Sequence, residues 1–317
     1  MTKLTRAEVA QWLQERDNFL ILTHCRPDGD TAGSAAALCR GLRGVGKKAY
    51  VLENPELPGI LTELHQGITT PCAEAEHTLI AVDVATAGML PEAFAHLLPR
   101  IELRIDHHAT SDSFTELELV DSGAGACGEI IYDILMELWA DLDKETATAL
   151  YVATSTDTGC FRFANTTDHT FLVAAACAAA GAPVFDLNKL HFETVSFGRL
   201  RMQAWMTENS RFFCDGAAVV CAVPRAVEQQ LGANDDDMHN IASFLRTFAG
   251  VKVAALLQER EECGIQVSVR SVPGIDSGKI CAAFGGGGHA GAGGTGIDLP
   301  LQEAADALRA EIEKVFV

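Results

Sequence analysis

Four short apolar runs in the first half of the chain each lead into aspartate or histidine. Phe19 to Thr23 meets His24-Cys25-Arg26-Pro27-Asp28-Gly29-Asp30, and Leu79 to Val82 stops at Asp83. A run from Leu103 ends on Asp106-His107-His108, and Leu150 to Val152 passes through Thr154-Ser155-Thr156 to Asp157. Lys48 to Leu52 reads as one more strand, while Arg6–Asp17, Thr31–Arg43, Gly128–Trp139 and Lys144–Ala153 have helical character. Asp30 or Thr31 is expected to cap the second of these helices. Short apolar strands alternating with helices predict an α/β fold with a mostly parallel N-terminal sheet. In such sheets the polar residues just past the carboxyl ends of the strands face one crevice. Asp28, Asp30, Asp83, Asp106, His107 and Asp157 are all placed to reach it.

A chain of 317 residues has room for about two domains. The first is expected over 1–185, followed by a charged helical linker over 186–210 and a smaller α/β domain over 211–317. In that last part Phe212–Pro224 reads as strand, turn and strand, and Val251–Gln258 and Gly264–Val272 as strands. Met238–Ala249 reads as a helix capped from the acidic run Asp235–Asp237, Gly285–Gly296 as a glycine-rich loop, and Leu301–Phe316 as a closing helix. The uncharged run Thr170–Phe185 is too short for a membrane span and is broken by Gly181 and Pro183, so a buried helix is expected there.

The charge balance narrows the function. Lys plus Arg is 24 against 43 Asp plus Glu, a net charge of −19, which argues against a basic groove for long duplex nucleic acid. A small phosphorylated substrate stays open, because bound divalent ions reverse the local sign. A hydrophobic fraction of 48% supports a substantial core. Ten cysteines without a C-x-x-C pair read as reduced thiols of a cytoplasmic protein, and Met1–Trp12 has no signal-peptide core.

His24, Asp28 and Asp30 can turn an imidazole and two carboxylates toward one small volume, a donor set suited to Mn²⁺, Mg²⁺ or Fe²⁺. Read alone, they also fit an Asp-rich turn with a helix cap, and Asp83 and Asp157 also fit loop caps. Asp106-His107-His108 is more pointed: one imidazole can bind metal while the other faces substrate, and the plainer reading is a surface pair. Four aspartates and two or three histidines can hold two ions about 3.5–4 Å apart, the spacing used for in-line phosphoryl displacement. Gly285-Gly286-Gly287-Gly288-His289 lets backbone N–H groups approach a phosphate, the plainer reading being a flexible linker. It fits neither a dinucleotide fingerprint nor a P-loop.

Together these residues resemble the DHH phosphoesterase superfamily. Asp106-His107-His108 is like its signature triplet; His24, Asp28 and Asp30 are like its first motif, Asp83 its second and Asp157 its fourth. Val267–Ser271 and the GGGGH stretch look like its associated C-terminal domain. Length and tail resemble the NrnA-type oligoribonucleases (nanoRNases), which also remove the 3′-phosphate of 3′-phosphoadenosine 5′-phosphate. The resemblance implies two divalent ions, Mn²⁺ foremost, with Mg²⁺, Co²⁺ and Fe²⁺ admitted. One would take His24, Asp28 and Asp83, the other Asp30, Asp83, His107 and Asp157. Asp106 would orient His107, and His108 would contact the scissile phosphate. Arg270, Gly286, Gly287, Gly288 and His289 would bind substrate, with Arg162 a further candidate. Two stretches depart from the family pattern: Ala109-Thr110-Ser111-Asp112 lacks the expected Ser-Asn or Thr-Asn pair, and no basic residue follows His289. The implied substrates are short single-stranded RNA and phosphorylated nucleotides, with no membrane partner and a homodimer admitted. The competing readings are a phosphodiesterase for pApA or cyclic di-AMP, and a nucleotide-binding regulator with an inert metal site.

Overall fold

The computed structural model describes residues 2–109, 112–238, 240–260, 264–289 and 291–316, with the side chains of Asp236 and His289 outside the description. The chain divides into two units, Met1–Glu193 and Thr194–Val317.

The first unit is built on a seven-stranded sheet: β1 (Thr2–Lys3), β2 (Phe19–Leu22), β3 (Ala49–Leu52), β4 (Thr69–Thr70), β5 (Thr78–Val82), β6 (Ile101–Asp106) and β7 (Leu117–Val120). The order is β1-β7-β6-β5-β2-β3-β4 and every pairing is parallel. Its strands are apolar on both faces because both faces are covered. Phe19, Ile21, Ile80, Val82, Leu103 and Ile105 point into one core, and Leu20, Leu22, Leu79 and Ala81 into the other. From β2 the chain proceeds outward through β3 to β4, then returns to place β5 on the other side of β2. The carboxyl ends of β2 and β5 therefore flank the point where the winding reverses, the place where such sheets leave a crevice.

The first core takes helices α1 (Arg6–Gln14), α2 (Gly29–Gly44), α3 (Cys127–Glu137), α4 (Lys144–Asp157) and α5 (Asp168–Ala179). Three expectations change here. The cap of α2 is Asp28, whose side chain accepts from the N–H groups of Asp30 and Thr31. The α4 helix runs on to Asp157, so this aspartate leaves a helix end rather than a strand end. The run Thr170–Phe185 is not a buried helix: α5 buries only Thr170, Val173 and Cys177, a single stripe, while Phe171 and Leu172 are 56% and 53% exposed.

The stretch 186–210 is not one connecting helix. The short α6 (Val184–Asn188) and a π-turn at Lys189–Glu193 stay with the first unit. Ser196 then caps a new helix, α7 (Phe197–Asn209), whose Met202 and Met206 are buried in the core of the second unit.

The second unit holds a six-stranded mixed sheet: β8 (Arg211–Phe213), β9 (Ala218–Val223), β10 (Val253–Arg260), β11 (Gly264–Ser271), β12 (Gly287–His289) and β13 (Ala292–Ile297), in the order β12-β13-β11-β10-β9-β8. One face packs on α11 (Ser277–Ala282) and α12 (Leu301–Glu313), the other on α7 and the short helical turns α8 (Arg225–Leu231), α9 (Asp235–Met238) and α10 (Ala242–Leu245). Met238–Ala249 is thus not a continuous helix: Asn240, at φ +52°, interrupts it, and His239 lies outside the described residues. The expected glycine-rich loop is an antiparallel hairpin, β12 against β13. Its glycines permit close packing, since a Cβ on Gly286 would lie 2.3 Å from the Gly294 carbonyl and one on Gly293 would lie 2.5 Å from that of Ser277.

Candidate metal centre

His24 follows β2, Asp83 follows β5, and Asp106 is the last residue of β6, with His107 and His108 next in the chain. Asp28 and Asp30 stand at the first turn of α2, and Asp157 at the last turn of α4. Two close contacts bring these elements together. Thr31 Oγ1 donates to the Val82 carbonyl at 2.9 Å, pinning the start of α2 to the end of β5. Gly29 lets α2 approach α4, because a Cβ there would lie 2.3 Å from Thr156 Oγ1.

His24 Nε2 lies 3.6 Å from Asp28 Oδ1 and 3.7 Å from Asp83 Oδ2. His107 Nε2 lies 3.6 Å from Asp30 Oδ2, 3.6 Å from Asp83 Oδ1 and 3.7 Å from Asp157 Oδ2. Donors about 2.1 Å from one ion stand about 3–4 Å from one another, so these are the spacings of a ligand set. Both imidazoles are aimed in the same way. His24 Nδ1 is 2.7 Å from the Cys25 carbonyl and His107 Nδ1 is 3.3 Å from that of Ala124, which turns each Nε2 toward the carboxylates. His108 differs: its Nδ1 is 2.7 Å from Asp106 Oδ1, which also accepts from the N–H groups of His107 and His108. Asp106 therefore orients the His108 ring, whereas the expectation had it orient His107.

The electrostatics fit a cation. Asp83 Oδ1 is buried without a hydrogen-bond partner among the described residues. Burial, with the charges of Asp30 and Asp28, raises the Asp83 carboxyl well above its ordinary range. Burial pushes Asp30 up to about 7 and Asp157 up to about 6, despite the opposing pull of His107 on both. Burial would lower His24, yet the neighbouring Asp28 carboxylate carries it above its ordinary value. Burial would raise Asp106, but the bond to His108 holds it down. Three carboxyls that resist ionising together, one with an unpartnered buried oxygen, make a donor set that a divalent ion would satisfy.

Comparison with known proteins agrees with this geometry. The DHH family N-terminal domain matches residues 18–154 and the DHHA1 domain matches residues 216–317. A bifunctional oligoribonuclease and PAP phosphatase NrnA of Thermus thermophilus is 33% identical over 308 residues, covering 93% of this chain and 90% of that one. This chain belongs to the DHH family. A Bacillus subtilis protein of the same description is 24% identical, with 97% of each chain covered. The crystal structure of an exopolyphosphatase-related protein from Bacteroides fragilis shares the fold, with a TM-score of 0.89 at 20% identity over 98% of this chain and 95% of that one.

For this DHH chain, then, the eight N-terminal residues singled out from sequence gather at one crevice. Arg162 is exposed, its Nε donating to the Gly159 carbonyl at 2.6 Å, just beyond a left-handed turn over Gly159, Cys160 and Phe161. Arg270 belongs to the second unit, where it pairs in register with Ala292, which pairs with His289. The backbones of Arg270, Ala292 and His289 thus form one row across the sheet; the His289 side chain lies outside the described residues. Of the DHH chain's Gly286, Gly287 and Gly288, only Gly287 has open space at its Cβ position.

Sequence reasoning missed the residues that hold the candidate ligands in place. Asp30 accepts from Ser34 Oγ at 2.9 Å and from the N–H groups of Cys127 and Gly128 at 2.7 and 3.0 Å, at the N-terminus of α3. Asn54 Nδ2 donates to Thr23 Oγ1 and to the His24 carbonyl. Asn165 Nδ2 donates to Asp157 Oδ2 at 3.2 Å, and Asn240 Oδ1 accepts from Arg270 Nη2 at 3.1 Å. Only Ser34, four residues after Asp30 on a helix, had a local signal.

Proposed function

We propose that this chain, a hydrolase acting on phosphoesters, cleaves short single-stranded oligoribonucleotides to 5′-mononucleotides and removes the 3′-phosphate of 3′-phosphoadenosine 5′-phosphate. The relatives' described activities and their similarity along nearly the whole chain support the substrate class. The observation that carries the chemistry is that two backbone-tethered imidazoles and the carboxylates of Asp28, Asp30, Asp83 and Asp157 fall into overlapping donor groups, with His24 against Asp83 Oδ2 and His107 against Asp83 Oδ1.

In this reading His24, Asp28 and Asp83 would hold one divalent ion and Asp30, Asp83, His107 and Asp157 would hold another, with Mn²⁺ the natural choice for a mixed imidazole and carboxylate set. Such ions make hydroxide available at neutral pH and offset the charge of the phosphate. His108, held through Nδ1 by Asp106, donates to a phosphate oxygen as charge develops on it. Arg162 is a further phosphate contact. The second unit holds the nucleotide through Arg270, the glycine strand of Gly286, Gly287 and Gly288, and His289.

The test is Mn²⁺-dependent turnover of 2–5-mer RNA, a 24-mer, pApA and 3′-phosphoadenosine 5′-phosphate, with Asp106→Ala/His107→Ala as control. Preference for the shortest RNAs together with phosphate release from the mononucleotide is expected. Activity confined to pApA would replace this reading with dinucleotide turnover, and no turnover at all would point to a regulator.

A further inference from the structure

Arg104 lies on β6 two residues before Asp106 and is only 1% exposed. A guanidinium stays charged at every physiological pH, so its burial is costly unless it is paired and hydrogen-bonded. Arg104 is both. Its Nη2 lies 2.7 Å from Glu118 Oε2, on the residue directly across from it in β7, and Ser113 Oγ donates to both Glu118 oxygens at 3.2 Å. Its Nη1 donates to the Ala85 carbonyl at 2.8 Å and to the Asp112 carbonyl at 3.1 Å, and stands 3.9 Å from Asp106 Oδ2. The Ala85 carbonyl also accepts from the Asp112 N–H at 3.1 Å.

The carbonyls identify what is being held. Ala85 is two residues past Asp83, and Asp112 is four past His108. One guanidinium thus joins the turn that carries Asp83 to the segment that follows the triplet. An ion pair serving stability alone needs only Glu118, and a packed apolar pair serves that purpose as well or better. The planar fork can meet a carboxylate on one nitrogen and two carbonyls on the other; a lysine ammonium, a single point of charge, cannot span all three.

We propose that the Arg104–Glu118 pair is a positioning device for the metal centre, fixing the Asp83 turn against the segment after Asp106-His107-His108. This rests on the reading of the cluster as a divalent-ion centre. Neither residue touches substrate or ion.

The experiment compares the full chain with Arg104→Lys and with Arg104→Met/Glu118→Leu, measuring Mn²⁺ affinity by calorimetry, exchange of the Asp112 amide, and kcat and KM on short RNA. The double variant removes one charge of each sign and leaves an apolar pair, so a cooperative thermal transition is retained. We expect Mn²⁺ binding weakened about tenfold or more, faster Asp112 exchange, and a fall in kcat with KM within about twofold. Arg104→Lys keeps the charge, so a purely electrostatic role leaves it like wild type, whereas positioning predicts a loss in the same direction. Wild-type Mn²⁺ affinity and kcat in a folded double variant would overturn the proposal. If the native chain binds Mn²⁺ but turns over no RNA, the functional reading fails, while the Mn²⁺ comparison still decides the role of the pair. A native chain that binds no Mn²⁺ overturns both.

Discussion

Asp83 combines two costs at one residue: φ is +60°, and its Oδ1 is buried without a hydrogen-bond partner among the described residues. Aspartate and asparagine enter the left-handed region more readily than other side chains with a Cβ, so Asp83→Asn tests the charge while keeping the backbone. We expect it to fold like wild type and to lose Mn²⁺ affinity and turnover by about 100-fold or more, read by metal titration and initial rates. Asp83→Ala would add about 1–2 kcal/mol of backbone strain and confuse the two effects. The two adjacent histidines are also separable. His107 presents Nε2 to three carboxylates, whereas His108 is bound through Nδ1 to Asp106. His107→Ala should therefore lose both metal affinity and turnover. His108→Ala should keep Mn²⁺ affinity while kcat falls about 100-fold or more, and an equal loss of affinity in both variants would refute the division of roles.

Between elements, small residues set the distances. Helix α2 meets α4 at Gly29, where a Cβ would lie within 2.8 Å of the Thr156 Oγ1, Cγ2 and Cβ atoms. Gly29→Ala is expected to part the two helix ends that carry Asp28, Asp30 and Asp157, costing about 1–3 kcal/mol in urea unfolding and lowering kcat. Adding Thr156→Ala removes two of the three clashing atoms and should recover part of both. The hairpin of β12 and β13 gives a different contrast. Gly286→Ala meets backbone at 2.3 Å and should destabilise the second unit, whereas nothing lies within 4 Å of a Cβ at Gly287. If nucleotide approaches this strand, Gly287→Ala should leave the melting temperature unchanged and raise KM; an unchanged KM would move the substrate elsewhere.

For the whole molecule, the cluster makes stability depend on pH and on metal together. The folded-state pKa values of Asp30 and Asp157, about 7 and about 6, exceed their unfolded values, as do those of Asp83, His24 and His107 by direction. The native state therefore holds more protons than the unfolded chain, and stability is lost as pH rises toward these values. Asp28 and Asp106 are shifted down, so their contribution is already complete above the ordinary carboxylate range. In chelator, unfolding free energy should fall from about pH 5 to about pH 7. Saturating Mn²⁺ competes with the same protons, so its stabilising effect should grow over that window. Denaturant titrations at several pH values, with and without Mn²⁺, check both slopes. A metal-free chain whose stability rises from about pH 5 to about pH 7 would contradict the cluster's electrostatics.

The parallel sheet and the residues around its crevice were legible in the sequence, because strand polarity and the aspartates that end apolar runs are local patterns. The partners of those side chains were not. Asp30 is held by N–H groups 97 and 98 positions away, and Arg104 by a glutamate 14 positions on. Such choices depend on distances that exist only once the strands are ordered and the helices packed. The same holds where local patterns misled: the glycine run is a hairpin because it packs on α11, and Asn240 breaks a helix where its side chain meets Arg270. Sequence determined which residues could do the chemistry; packing between distant segments decided which nitrogen and which oxygen face one another.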